Sequence, residues 1–168
     1  MNIQNQLTSE EWKTLVEAPI KAGKAMIFVS PSGPIGVVKE TRVLLNSVKK
    51  VTSTPSKSSF LGTVGKHLHD RLHSAKEIGD TLLTDLQSVT APEETKAMAI
   101  TASKEASAIL GKVSPTDAIA YKEFIVSTAN KVAEAANEGD LAGTRVGNVS
   151  QAEQALLKDL KGALGVSP

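Results

Sequence analysis

Cysteine is absent from the 168 residues, which excludes disulfides, thiolate zinc sites and cysteine nucleophiles. Aromatic residues are 3% of the chain, too few for a surface that stacks single-stranded bases on rings, and nucleic acid is therefore not an expected partner. Long apolar runs are lacking as well. The densest early one, "AMIFV" (Ala25 to Val29), is far shorter than the ~20 residues that cross a bilayer. The opening "MNIQNQ" has no basic segment leading into an apolar core, so neither a secretory leader nor a transmembrane segment is read, and a cytoplasmic protein is expected. Catalytic signatures are missing too. No serine sits in G-x-S-x-G, and "SPSGPIG" (Ser30 to Gly36) has neither a preceding strand nor the Gly-Lys-Ser/Thr of a phosphate loop. No enzymatic activity is expected.

What remains is helical in pattern. Thr8-Ser9-Glu10-Glu11 is a capping box, with Leu7 and Trp12 placed for a hydrophobic staple. Trp12, Leu15, Val16, Ala22, Met26 and Val29 continue one face, with Pro19 as a kink, and "SPSGPIG" closes the helix. A second helix is expected from Val37 to Val48, burying Val37, Val38, Thr41, Leu44, Leu45 and Val48. Residues 49–59 then read as a mobile connection.

Leu61, Val64, Leu68, Leu72, Ala75, Gly79, Leu82 and Leu86 hold helical spacing, as one long helix or two broken near Gly79. Thr90, Pro92 and Glu93 start another helix, which ends at Gly111. Ser114 and Pro115 start a third, with Ala118, Tyr121, Ile125, Ala129, Val132 and Ala136 on its inner face and Gly139 as its stop. Ser150 and Glu153 form a further capping box, opening a last helix that buries Ala152, Leu156, Leu160 and Ala163 and ends at Gly165. Alternating strand patterns are too short to count. A single all-α domain, a compact bundle of six or seven helices spanning 1–168, is the expected fold.

The net charge of +1 hides an asymmetry: Lys39 to Lys76 holds eight basic residues against two acids, and Glu77 to Asp140 five against eleven. Such blocks complement one another on neighbouring helices or keep the surface wet. The alternative is a basic face that binds an anionic surface, lipid or nucleic acid, reversibly.

Three histidines, His67, His69 and His73, share "KHLHDRLH". His69 and His73 have the spacing of two imidazole ligands on one helix. With Leu68 at the centre of the buried stripe, they fall roughly 100° and roughly 140° round, beside Lys66 at about 160°. That is a solvated, basic neighbourhood, and these two are the weaker metal candidates. The stronger ones lie in "NEGDLAGTRVGNVSQAEQ": Glu138, Asp140 and Glu153 offer the hard oxygens that calcium or magnesium use, and Asn137 and Asn148 offer carbonyls. Against an ion, the spacing is not that of an EF-hand, Arg145 adds positive charge, and Glu153 already has a capping task.

Residues 121–165, and above all "Val149-Ser150-Gln151-Ala152-Glu153" after an acidic-glycine turn, resemble the TerB-like tellurite-resistance family of small bacterial helical proteins. Ala22-Gly23-Lys24 leading to Glu40 echoes Ala129-Asn130-Lys131 leading to Glu153. The resemblance implies two pseudo-repeated helix-loop-helix halves, a link to tellurite or stress response, and a divalent metal ion as a candidate ligand, with no certain cofactor; a protein partner, or self-association through an exposed apolar stripe, is a separate expectation. The first loop, "SPSG", departs from the family's pattern, which places an Asp before the glycine, and half of an acid-dependent ion site is thereby missing.

Overall fold

A computed structural model of the chain describes residues 6–29, 33–52, 60–71, 92–137 and 149–167. Among them are six α-helices and no strand: α1 (Ser9–Val29), α2 (Gly33–Thr52), α3 (Phe60–Arg71), α4 (Pro92–Ile109), α5 (Pro115–Asn137) and α6 (Gln151–Leu164), with a 3-10 turn at Leu110–Lys112 between α4 and α5. The protein is an all-α bundle.

The helix starts follow the local chemistry. Thr8 N donates to Glu11 Oε2 at 2.8 Å and Glu11 N to Thr8 Oγ1 at 3.2 Å, the reciprocal box that the sequence announces. Leu7 is buried and Trp12 packs against the core, as a staple requires. Asp117 N donates to Ser114 Oγ at 3.1 Å ahead of α5. At α6 the Ser150–Glu153 box is complete, and Gly165, at φ 64°, ends the helix with Gly165 N donating to Gly162 O and Val166 N to Lys161 O.

Several expectations need correction. α2 is helical from Gly33, because Pro34 falls in the first turn, where a missing N–H costs nothing, and it continues to Thr52, so that residues 49–52 of the expected connection are helix. Residues 53–59 of the expected connection, and 72–86 of the expected long helix, lie outside the described residues. Gly111 sits within the 3-10 turn, and the positive-φ glycine among the described residues is Gly165. Ala152 is exposed, and Glu153 takes the buried place beside it.

α2 is rotated relative to its apolar letters. Val38 is 50% exposed, while Glu40 is buried at 1% and Thr41 and Ser47 are also buried. At 100° per residue the buried arc runs from Ser47 through Glu40, Val37 and Thr41 to Leu45, and Val38 falls just past its edge.

α1 is the axis of the bundle, since α2, α3, α4, α5 and α6 all pack on it. Ala25, Met26, Ile27 and Phe28, four consecutive positions, are all buried, which is what a helix enclosed on every side looks like. α4 is its largest partner and runs antiparallel to it: Lys112 bonds Glu11 at one end, and Met98 shares a hollow with Lys21 and Lys24 at the other. Both helices bury small side chains, Ala18, Ala22 and Ala25 on α1 and Thr95, Ala99, Ala102, Ser103 and Ala106 on α4, as a closely packed pair requires.

Pro19 stands inside α1 and is buried. A proline has no N–H, so the carbonyl four residues back, that of Leu15, loses its helical donor. Leu15 is fully buried, and water does not supply the missing bond. The Tyr121 hydroxyl of α5 does, donating to Leu15 O at 2.7 Å across 106 residues of sequence. Burial pushes the Tyr121 phenol far above its ordinary value, so it remains a donor.

Tyr121→Phe leaves the Leu15 carbonyl orphaned and is expected to cost about 1–3 kcal/mol in urea unfolding. In a Pro19→Ala background the helical donor returns, and the same substitution is expected to cost about 1 kcal/mol or less. Equal costs in both backgrounds would show that the two residues are not coupled. The pH dependence follows from the raised phenol. Below pH about 10 both folded and unfolded chains keep the proton and the contribution is complete. Above it the unfolded chain ionises and the folded one does not, so stability falls by about 1.4 kcal/mol per pH unit. Tyr121 is the chain's one tyrosine. The stability difference between wild type and Tyr121→Phe should therefore shrink above that pH, with tyrosinate absorbance appearing only as the protein unfolds.

Candidate functional site

Of the residues singled out for a metal, Glu138, Asp140 and His73 lie outside the described residues, as does the His69 side chain. Glu153 is described and is 1% exposed. Its Oε2 accepts from Ser150 N at 2.7 Å, completing the cap, and its Oε1 is buried and has no hydrogen-bond partner. Glu40, the other buried glutamate, engages contacts of its own. α6 packs chiefly on α4, with α5 and α1 beside it, while α2 packs chiefly on α5 and α3. Among the described residues no three acids or histidines gather within reach of one ion.

Three surface features stand out instead. The first is the outer face of α2. Lys39, Arg42, Asn46, Lys49 and Lys50 are all exposed and fall within about 100° of arc, with half-exposed Val38 at one edge. The face runs for roughly 16 Å along the helix. The one acid of α2, Glu40, points the other way and is buried. Lys39 and Arg42 make no ion pair with the described residues, whereas Lys49 and Lys50 hold further contacts. Four of the eight basic residues of the block from Lys39 to Lys76 are thus concentrated by this helix into one stripe. Positions 39, 42, 46, 49 and 50 share this face only because the helix continues past Val48, where the sequence reading ends it.

The second feature is a groove of about 580 Å³ between α1 and α3, where Trp12, Lys13, Glu10 and Val16 face His67 and Asp70. The Trp12 ring lies 5.4 Å from the His67 ring and 5.7 Å from that of Phe60, which in turn lies 6.0 Å from Tyr121. A chain of rings therefore joins the groove to the tyrosine that bonds α1. The sequence marked His67 only as a neighbour of His69 and His73; its partner proves to be Trp12, on another helix.

The third is a smaller hollow of about 230 Å³ between α1 and α4, walled by Ile20, Met98 and Thr95. Glu17 and Lys21 close one side as an ion pair at 3.1 Å, and Lys24 stands over the Phe28 ring. The Thr95 hydroxyl behind it is buried and has no hydrogen-bond partner.

Elsewhere the described ion pairs tie helices together. Lys96 bonds Asp159 at 3.0 Å, joining α4 to α6, and this hydrogen bond raises the lysine's pKa. Glu11 is held below the usual carboxylate range, chiefly by its hydrogen bond to Lys112. No described helix is long and apolar enough to cross a membrane. Comparison of the chain with protein-family models, with curated proteins and with solved structures finds no match.

Proposed function

We propose that this protein works by contact and not by covalent chemistry, as a helical module that settles reversibly on an anionic lipid surface through α2. The observation that carries the reading is the cationic stripe of Lys39, Arg42, Lys49 and Lys50, uninterrupted by an acid and edged by exposed Val38. Each basic side chain near an anionic bilayer contributes about 1 kcal/mol, and the attraction fades within a Debye length. Lys39 and Arg42, with the rest of the stripe beside them, give binding that is weak, fast and sensitive to salt. Val38 adds apolar contact at the interface, which favours lipid over the phosphate backbone of a nucleic acid. The stress-associated, tellurite-resistance role implied by the resemblance of residues 121–165 is compatible with such a module and adds no residue to it.

Sedimentation with phosphatidylserine-containing vesicles at low salt should bring the protein down, and phosphatidylcholine vesicles should not. Replacing Lys39 and Arg42 together by Gln is expected to weaken binding about 30-fold. Equal binding to both kinds of vesicle, or binding to duplex DNA while phosphatidylserine vesicles stay bare, would overturn the lipid reading.

A second reading rests on Glu153 Oε1, a buried carboxylate oxygen with no hydrogen-bond partner. We propose that it is a ligand to a divalent ion, with Glu138 and Asp140 as the further oxygen donors. Calorimetric titration with calcium, magnesium and manganese should then release heat that Glu153→Gln abolishes, while the melting temperature of that variant stays near wild type because glutamine keeps the cap. No heat from the wild-type chain at millimolar metal removes this reading.

A further inference from the structure

We propose that the groove between α1 and α3 is a binding site for an organic cation, an ammonium or guanidinium group carried on an apolar body. One wall includes the indole of Trp12, which also packs on Phe60 and His67; indole attracts cations most strongly of the aromatic side chains. Val16 also lines it but is itself buried, so the apolar surface a ligand would cover is its own and that of the indole edge. The rim carries two carboxylates, Glu10 from α1 and Asp70 from α3, and one ammonium, Lys13. None of these three forms an ion pair or side-chain hydrogen bond with the described residues. Both carboxylates are exposed.

The spacing decides the kind of cation. His67 and Asp70 sit three apart on α3 with Glu10 opposite, a donor set that would suit a metal if it converged. It does not: no three acids or histidines among the described residues come within reach of one ion. A bare divalent ion needs oxygen ligands at roughly 2.0–2.6 Å and has nothing here to complete its shell. A larger cation has no such requirement. Its charge is spread over several atoms, and it satisfies carboxylates on opposite sides of a groove of about 580 Å³ while lying against the indole. That volume is in the range of small-molecule sites.

The same chemistry is offered by a free amine and by a lysine or arginine of a partner protein, and the probes separate them. Trp12 is the chain's one tryptophan, so its emission reports this groove alone. The full chain is titrated with choline, with 3,3-dimethylbutanol as choline's uncharged isostere, and with an arginine blocked at both ends, each against a sodium chloride control. Saturable change is expected with choline or the blocked arginine, at least about tenfold weaker with the alcohol. Tighter binding of choline assigns the site to free amines, and tighter binding of the arginine assigns it to a basic segment of a partner. Glu10→Gln and Asp70→Asn should each weaken binding about threefold and together about tenfold, and Lys13→Gln should tighten it by about twofold. A gain from Lys13→Gln is not the result of damage to the fold, which keeps the test separable from misfolding. The proposal is overturned if the alcohol matches choline, if no cation saturates the signal by about 0.1 M, or if the charge variants leave the apparent Kd unchanged.

Discussion

The bundle turns on one carbonyl. Pro19 takes the helical donor away from Leu15 in the middle of a helix that is buried on all sides, and an unsatisfied carbonyl there costs more than most single contacts return. Tyr121 answers it from α5, and that requirement fixes how α5 lies on α1: the hydroxyl reaches Leu15 O only at one register and rotation. Phe60 packs on the tyrosine ring and Trp12 on Phe60, so α3 is positioned in turn. The pair of half-buried Trp12 and exposed His67 at the α1–α3 groove is the outer end of the same chain of contacts.

With so few aromatics, the remaining packing is done by small and aliphatic residues, and α1 shows how. Its alanines let α4 approach closely along one side. On the side facing α2, Gly23 admits Leu44: a Cβ at Gly23 would lie 2.6 Å from Leu44 Cδ1. The glycine costs about 1 kcal/mol of helix propensity relative to alanine, and the close approach of Leu44 is the compensation. All five aromatics go inward, Phe28, Phe60, Tyr121 and Phe124 buried and Trp12 against the core, which leaves the surface to charge.

What could be read from the sequence was local. The Thr8, Ser114 and Ser150 caps and the Gly165 stop each depend on residues within five positions, and all four are as the sequence indicates. The rotation of α2 was not legible, because apolar letters mark a stripe but the helices packed on it decide which edge is covered; here they cover Glu40 and Ser47 and leave Val38 out. Gly111 had the residue type of a helix stop without the backbone, since the chain tightens into a 3-10 turn there and needs no positive φ. Pro19 and Tyr121 were each visible, one as a kink and one as a core residue. Nothing local connects positions 102 residues apart, so the bond that explains both was out of reach. The candidate site was legible in part: the basic block from Lys39 was countable, and the Trp12–His67 pair, made between helices, was not.

The two buried glutamates follow a different logic from the rest of the interior. Burying a carboxylate is costly unless its oxygens are bonded, and a cap occupies only one oxygen of Glu153. A glutamine would close the same box without a charge to desolvate. Retaining the acid therefore makes sense if its second oxygen meets a positive charge or a donor from outside the described helices. The surface repeats the pattern with the sign reversed: α2 gathers cations where no described acid answers Lys39 and Arg42, and the α1–α3 groove gathers carboxylates with Lys13 the one lysine or arginine among its described lining residues. Charges that contributed to the fold would be found paired, as Lys96 is with Asp159 and Lys112 with Glu11. Those left unpaired, in groups of one sign and on single faces, are the surfaces that the proposed lipid and the proposed organic cation would meet.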